Sequence, residues 1–216
     1  MKTVLCFGDS NTYGYNPHTK GRFDPAVRWT GRLQRALGGG YAVIEEGCNG
    51  RTACYIDENE PWKLGLSYLL PCLKSHKPVD LMILMLGTND LKTFYRPDGD
   101  EITEAVGNYI RETRAFSERK GLPLPRILLV APPALGEDIA GNSPFSGEFD
   151  ERSREISLGL GAKYRKIAEE TGVFFLDGGE AAAFSDADSL HLDAEGHRAF
   201  AEAVETIIRK EICSQP

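Results

Sequence analysis

The sequence lacks an excess of positive charge. Its 216 residues carry 25 Lys and Arg against 32 Asp and Glu, a formal net charge of −7. Nucleic acids and anionic membranes both require a basic face, so neither is an expected partner. Also missing is any apolar run near the ~18 residues of a membrane span. The opening stretch meets Asp9 too soon for a secretory leader, which sets the expectation of a cytoplasmic protein. Cysteine is sparse and unhelpfully spaced: Cys6, Cys48, Cys54, Cys72 and Cys213 are odd in number and contain no CxxC pair. They fit reduced, mostly buried thiols better than a disulfide framework or a zinc site. Repeats, linkers and low-complexity segments are absent too.

What is present describes an ordinary globular chain. A content of 41% hydrophobic and 26% charged residues is typical of that class. A length of 216 residues suits one domain with a sizeable core. Apolar runs at 3–7, 42–46, 81–86, 126–131 and 173–176 alternate with helical spacings at 27–37, 102–119 and 150–171. The run 81–86 is apolar at every residue, as a strand covered on both faces should be. Asp193 precedes a helix that carries Phe200, Val204, Ile207 and Ile208 on one face, and reads as its N-cap. This alternation predicts a single three-layer α/β/α domain over 1–216 with about five parallel strands.

In such a sheet, ligands bind beyond the carboxyl ends of the strands. Four polar segments follow strand ends: Ser10 in Gly8-Asp9-Ser10, Gly50 in Gly47-Cys48-Asn49-Gly50, Asn89 in Gly87-Thr88-Asn89-Asp90, and Asp188-Ser189-Leu190-His191. A serine hydroxyl becomes a competent nucleophile when a neutral imidazole takes its proton and a carboxylate fixes that imidazole's tautomer. Asp188 and His191, three residues apart, can meet almost locally, so the fold has only to deliver Ser10. Each segment also has a plainer reading. Ser10 could cap the first helix or line a phosphate nest in a non-catalytic, flavodoxin-like binding module. Asn89-Asp90 could be an Asx-turn, and Asp188 and His191 could be loop residues capping the last helix. His197, inside that helix, reads as structural, and His18 and His76 receive no role. Asp9 reads as a brace for its turn. Glu45 and Glu46, adjacent on a strand, point to opposite faces and cannot flank one bond.

Taken together and in order, the four segments resemble the SGNH, or GDSL-like, hydrolases over essentially the whole chain. The stretches Arg22-Phe23 to Arg28-Trp29-Thr30-Gly31, Val43-Ile44-Glu45-Glu46-Gly47 and Leu84 to Asp90 resemble, more narrowly, the bacterial arylesterase/acyltransferase branch. The order Ser, Asp, His also matches the α/β-hydrolases, but the GxSxG elbow is absent. The resemblance implies a catalytic Ser10, Asp188 and His191. It implies an oxyanion hole from the Ser10 and Gly50 N–H groups and the Asn89 amide, where losing one donor typically costs ~10²–10³ in turnover. No metal or organic cofactor is implied. The expected substrate is a small-molecule ester with a short or aryl group, with acyl transfer to alcohols as a companion activity and an O-acetylated carbohydrate as the alternative. A homo-oligomer that narrows the site entrance is a further implication.

Asn11, Thr12 and Tyr13, next to the nucleophile, are expected to touch substrate. Asn11 stands where the family often has Leu, which suggests a more polar pocket. Arg51 is expected to meet an acidic or sugar-like leaving group, or else to form a surface ion pair. Residues 53–76, with Tyr55, Trp62 and Tyr68, suggest a helical cover over the site, and residues 132–149 a long loop at its edge that forms a rim or a subunit contact.

Overall fold

Five short apolar stretches pair side by side in the computed structural model, which describes residues 1–212. The strands are β1 (Lys2–Gly8), β2 (Tyr41–Gly47), β3 (Leu81–Met85), β4 (Arg126–Ala131) and β5 (Phe174–Asp177), all parallel in the order β2-β1-β3-β4-β5. The three-layer α/β/α reading of the sequence holds. Cys213, one of the five cysteines, lies outside the described residues; the other four are free.

The helices are α1 (Ser10–Tyr13), α2 (Trp29–Leu37), α3 (Gly65–His76), α4 (Gly99–Lys120), α5 (Glu151–Thr171), α6 (Gly178–Ala181) and α7 (Ala194–Ile207). Local chemistry sets their ends. Asp98 accepts from the Asp100 N–H, Asp150 closes a capping box with Ser153, and Asp193 accepts from the Gly196 N–H at 2.7 Å. Gly121 and Gly172 terminate α4 and α5 in left-handed conformation. Helices α2 and α7 pack together, with Trp29 edge-on to Phe200, while α3, α4 and α5 form a second row. Right-handed crossovers on either side of β1 put these two groups on opposite faces of the sheet. All five residues of β3 are buried between them, and each buried Leu or Met contributes ~1.5–3 kcal/mol.

The strand order fixes where a site can form. The chain leaves β1 for β2 on one side and later returns to β3 on the other, so the switch point lies between β1 and β3. Gly8 is level with Gly47 of β2 and Met85 of β3, so the loops after all three strands open at one edge. Gly47 allows the backbone of α1 to lie against β2, because a Cβ there would collide with the Tyr13 N and the Thr12 C atoms. Another cavity, about 250 Å³, lies at the opposite, amino end of the strands beside Lys2, Asp80 and Leu81 and shares none of the four polar segments. No helix among the described residues is long and apolar enough to cross a membrane.

Candidate active site

Ser10 is the first residue of α1, and the helix is capped by Asp9, whose carboxylate accepts from the Asn11 N–H at 2.9 Å. Ser10 therefore does not cap the helix. Its Oγ lies 2.9 Å from His191 Nε2, and His191 Nδ1 lies 2.7 Å from Asp188 Oδ2. The other oxygen of Asp188 accepts from the backbone N–H groups of Leu190 and His191 at 3.0 and 2.9 Å. One carboxylate thus orients the imidazole and also folds the turn that carries it. Ser189 sits in that turn at φ 59°, a left-handed conformation costing ~1–3 kcal/mol in a non-glycine residue. Outside bonds hold the turn in place: Ser143 Oγ donates to the Asp188 carbonyl at 2.6 Å, and the Gly136 N–H donates to the Ser189 carbonyl at 2.9 Å. Asp188 and His191 are buried rather than loose caps of the last helix.

Gly50 and Asn89 reach the same pocket, of about 330 Å³, as Ser10 and His191. Gly50 has φ +77°, and a Cβ added there would meet Lys63 Cε at 2.8 Å. The positive φ calls for glycine, and the missing side chain leaves room for Lys63. The Asn89 amide donates to the Arg51 carbonyl at 3.1 Å, which uses one of its two N–H groups. Asp90 is not the acceptor of a simple turn. Its buried carboxylate receives the N–H groups of Ala53 and Cys54, at 2.7 and 2.9 Å, and so ties the loop after Gly50 to the loop after β3. Burial raises the Asp90 carboxyl above its ordinary range, against those hydrogen bonds. Burial likewise pushes the Asp9 carboxyl up to about 6, opposed by the Asn11 N–H and the Arg51 charge.

Four expected substrate contacts are corrected. Asn11 is buried and its amide faces the polypeptide: Nδ2 donates to the Leu190 carbonyl at 3.2 Å and Oδ1 accepts from the Leu192 N–H at 3.0 Å. Thr12 is buried against Gly8. Tyr13 turns its ring under the Arg22 guanidinium, 4.4 Å from the ring centre. These three side chains follow the helix away from the pocket because the α1 backbone packs on β2. Arg51 is neither at the pocket nor in a surface ion pair. Its guanidinium is buried over the Phe7 ring at 4.3 Å and donates to the Gly8 carbonyl at 2.9 Å and to the Glu46 carbonyl. It braces the two strand ends that precede Ser10 and Gly50.

The inserted stretch behaves differently from a cover. Helix α3 packs on β1 and α4, as a layer of the sandwich, because its Leu69, Cys72 and Leu73 are buried there. Only Glu60 and Lys63, before it, line the pocket. The 132–149 loop does form a rim, through Phe145 and Glu148. The Phe145 ring stands edge-on to His191 with centroids 5.6 Å apart, and the Tyr15 ring also lies against His191, at 4.3 Å. Lys92 completes the wall. Sequence reasoning passed over Tyr15, Lys63, Lys92 and Glu148. Tyr15 stands five residues after Ser10 and Lys92 three residues after Asn89, but nothing local shows which way either points.

His197, Glu45 and Glu46 have partners away from the pocket. His197 Nδ1 accepts from the Trp29 N–H at 3.3 Å, and burial pushes its imidazole down to about 3. Glu45 pairs with Arg28 and Arg22 beside α2, and Glu46 with His76 beside α3, on opposite faces of the sheet. Glu46, Cys72 and His76 bring ligand-capable atoms within 4.8 Å of one another, but His76 Nε2 and Glu46 already satisfy each other at 2.7 Å and none of the three lines the pocket.

The GDSL-like lipase/acylhydrolase family model matches residues 6–199. The chain belongs to this family. It is an ester hydrolase, and the non-catalytic binding-module reading falls. Among solved structures, the aryl esterase of M. smegmatis shares 34% identity, with a TM-score of 0.90 over 97% of this chain and 99% of that one. A carbohydrate acetylesterase of Sinorhizobium meliloti shares 33% identity with a TM-score of 0.90 over the same shares of the two chains. A carbohydrate acetylesterase family member of the same organism shares 37% identity, at a TM-score of 0.85 over 97% and 98%. No curated protein matches significantly.

Proposed function

We propose that this GDSL-like hydrolase cleaves short-chain carboxylic esters through an acyl-enzyme on Ser10. The unbroken hydrogen-bonded line from Ser10 Oγ through His191 to Asp188 carries this reading. His191 Nε2 takes the hydroxyl proton as Oγ attacks the ester carbonyl. The same nitrogen returns the proton to the leaving alcohol, so the carbon–oxygen bond breaks without expelling an alkoxide. Asp188, bonded to Nδ1, stabilises the imidazolium that forms. The Ser10 and Gly50 N–H groups and the second Asn89 amide hydrogen serve the oxyanion. Water, activated by His191, then releases the acid, and an alcohol in its place gives acyl transfer.

A pocket of about 330 Å³ is at the small end for ligand sites, which supports small acyl and aryl groups over long chains. A second reading, an O-acetylated carbohydrate, is supported by the charged wall of Glu60, Lys63, Lys92 and Glu148 and by the acetylesterases among the similar structures. Initial rates on 4-nitrophenyl acetate, butyrate and octanoate beside an acetylated xylo-oligosaccharide, with Ser10→Ala as blank, test both. Ser10-dependent cleavage that fades with acyl length supports the short-ester reading, and efficient deacetylation of the sugar supports the second. Equal rates with Ser10→Ala would overturn both.

A further inference from the structure

Two lysines stand in the wall of the proposed active site, and the esterase chemistry gives neither a task. The Lys63 side chain crosses Gly50, with Cε 2.8 Å and Nζ 3.2 Å from where a Cβ on Gly50 would be. Lys92 ends the turn that begins at Asn89. The Lys63 side chain thus lies over Gly50, and Lys92 lines the same pocket as Asn89. Each is paired with a carboxylate: Lys63 with Glu60, and Lys92 with Glu148 at 2.6 Å. The two members of each pair are not equally placed. Both lysine side chains are 17% exposed, whereas Glu60 and Glu148 are 41% and 43% exposed. All four side chains line the pocket, and in each pair the lysine is the more buried member.

We propose that Lys63 and Lys92 select esters that carry a carboxylate close to the scissile carbonyl; this rests on the esterase reading above. An ammonium has three N–H donors and its glutamate takes one, so donors remain for a second oxygen. Half-exposed ion pairs contribute little, ~0–1 kcal/mol, so the glutamates can swing outward when an anion enters. The inner end of the pocket then presents donors only: two ammonium groups, the Asn89 amide and the Gly50 N–H. A neutral hydroxyl gains little from such a wall. A carboxylate forms charge-assisted hydrogen bonds there, which are about twice as strong as neutral ones. Tyr15 and Phe145 both pack on the His191 ring, so the cationic part of the lining is the part that holds the lysines.

Two matched substrate pairs test this on the intact enzyme. Monoethyl succinate against ethyl butyrate places the charge on the acyl side. O-acetylated glucuronate against O-acetylated glucose places it on the alcohol side. At least one pair should favour its anionic member in kcat/KM by on the order of ten- to a hundredfold, mostly through KM. In that pair the ratio should fall towards one in Lys63→Met or Lys92→Met. It should rise in Glu60→Gln and Glu148→Gln, which release the lysines, an effect that a purely structural ion pair does not produce. A preference below tenfold in both pairs, or a ratio unchanged in both lysine variants, overturns the proposal. Ser10-dependent cleavage of the neutral members alone would overturn only this proposal. If none of the four is cleaved while 4-nitrophenyl acetate is, the proposal falls alone; if that ester too stays intact, the esterase reading falls with it.

Discussion

Asn11 and Leu192 are joined across 181 positions of sequence by a hydrogen bond from the Leu192 N–H to Asn11 Oδ1 at 3.0 Å. The other end of the same amide donates to the Leu190 carbonyl. The residue directly after the nucleophile therefore grips the backbone on both sides of His191. Rotation of either element would change the Ser10–His191 distance, and the clamp fixes both at once. The Asn11 carbonyl is itself held by Trp29 Nε1 at 3.0 Å.

Asn11→Ala should accordingly lower kcat by up to ~10²-fold, the loss expected from misplacing a catalytic group by about 1 Å. KM should change little, since the side chain does not face substrate. Asn11→Asp keeps an acceptor for Leu192 and should recover part of the loss. Steady-state kinetics on a short ester check this; an unchanged kcat in the alanine variant would mean that packing alone positions His191.

Two aspartates near His191 differ only in placement. Asp188 bonds Nδ1, while Asp186 is exposed. Asp188→Asn presents the wrong partner to the ring and should reduce turnover by as much as ~10⁴. Asp186→Asn should leave turnover near wild type. Comparable losses in the two variants would sink the assignment of Asp188.

Arg51 is a stability residue in this structure. Arg51→Met removes the guanidinium donor from the Gly8 and Glu46 carbonyls, leaving Gly8 its bond from the Cys48 N–H at 3.2 Å. A buried hydrogen bond contributes ~0.5–1.5 kcal/mol net, so losing the two should show in urea denaturation as a loss of roughly 1–3 kcal/mol. A loss under ~0.5 kcal/mol would place the side chain at the surface after all.

Asp9 and His197 pull the pH dependence of stability in opposite directions. The folded Asp9 carboxyl titrates at about 6, above its unfolded value, so the folded state holds the extra proton over about pH 4 to 6 and stability falls as pH rises. Folded His197 titrates at about 3, below its unfolded value near 6.5, so the unfolded state holds the extra proton and stability rises with pH over the same window. Each slope is about 1.4 kcal/mol per pH unit, and the two offset each other. Denaturant titrations at pH 4.5 and 5.5 should show that Asp9→Asn makes stability climb more steeply with pH, while His197→Asn makes it fall. Parallel profiles for wild type and both variants would refute the buried titrations.

Much of the architecture was legible because it depends on neighbours in sequence. The uniformly apolar 81–86 run required burial on both faces, Asp193 announced the start of α7, and strand–helix alternation forced parallel pairing. Asp188 and His191 were readable as a pair because three residues of chain suffice to join them. Ser10, Gly50 and Asn89 were placed at strand ends, where parallel topology gathers loops on one edge.

Side-chain direction was not legible. Whether Asn11 faces substrate or the Leu190–Leu192 backbone depends on a loop 179 to 181 residues away, and Arg51 turned inward because Phe7 and the Gly8 carbonyl are within its reach. Lys63 entered the pocket by crossing Gly50, a glycine whose missing side chain leaves the space. The sequence by itself determined the elements, their order and the chemistry gathered at one edge of the sheet. Only the tertiary structure decided which polar side chains face the ester and which hold the scaffold, because that depends on distances between segments that the fold, not the chain, brings together.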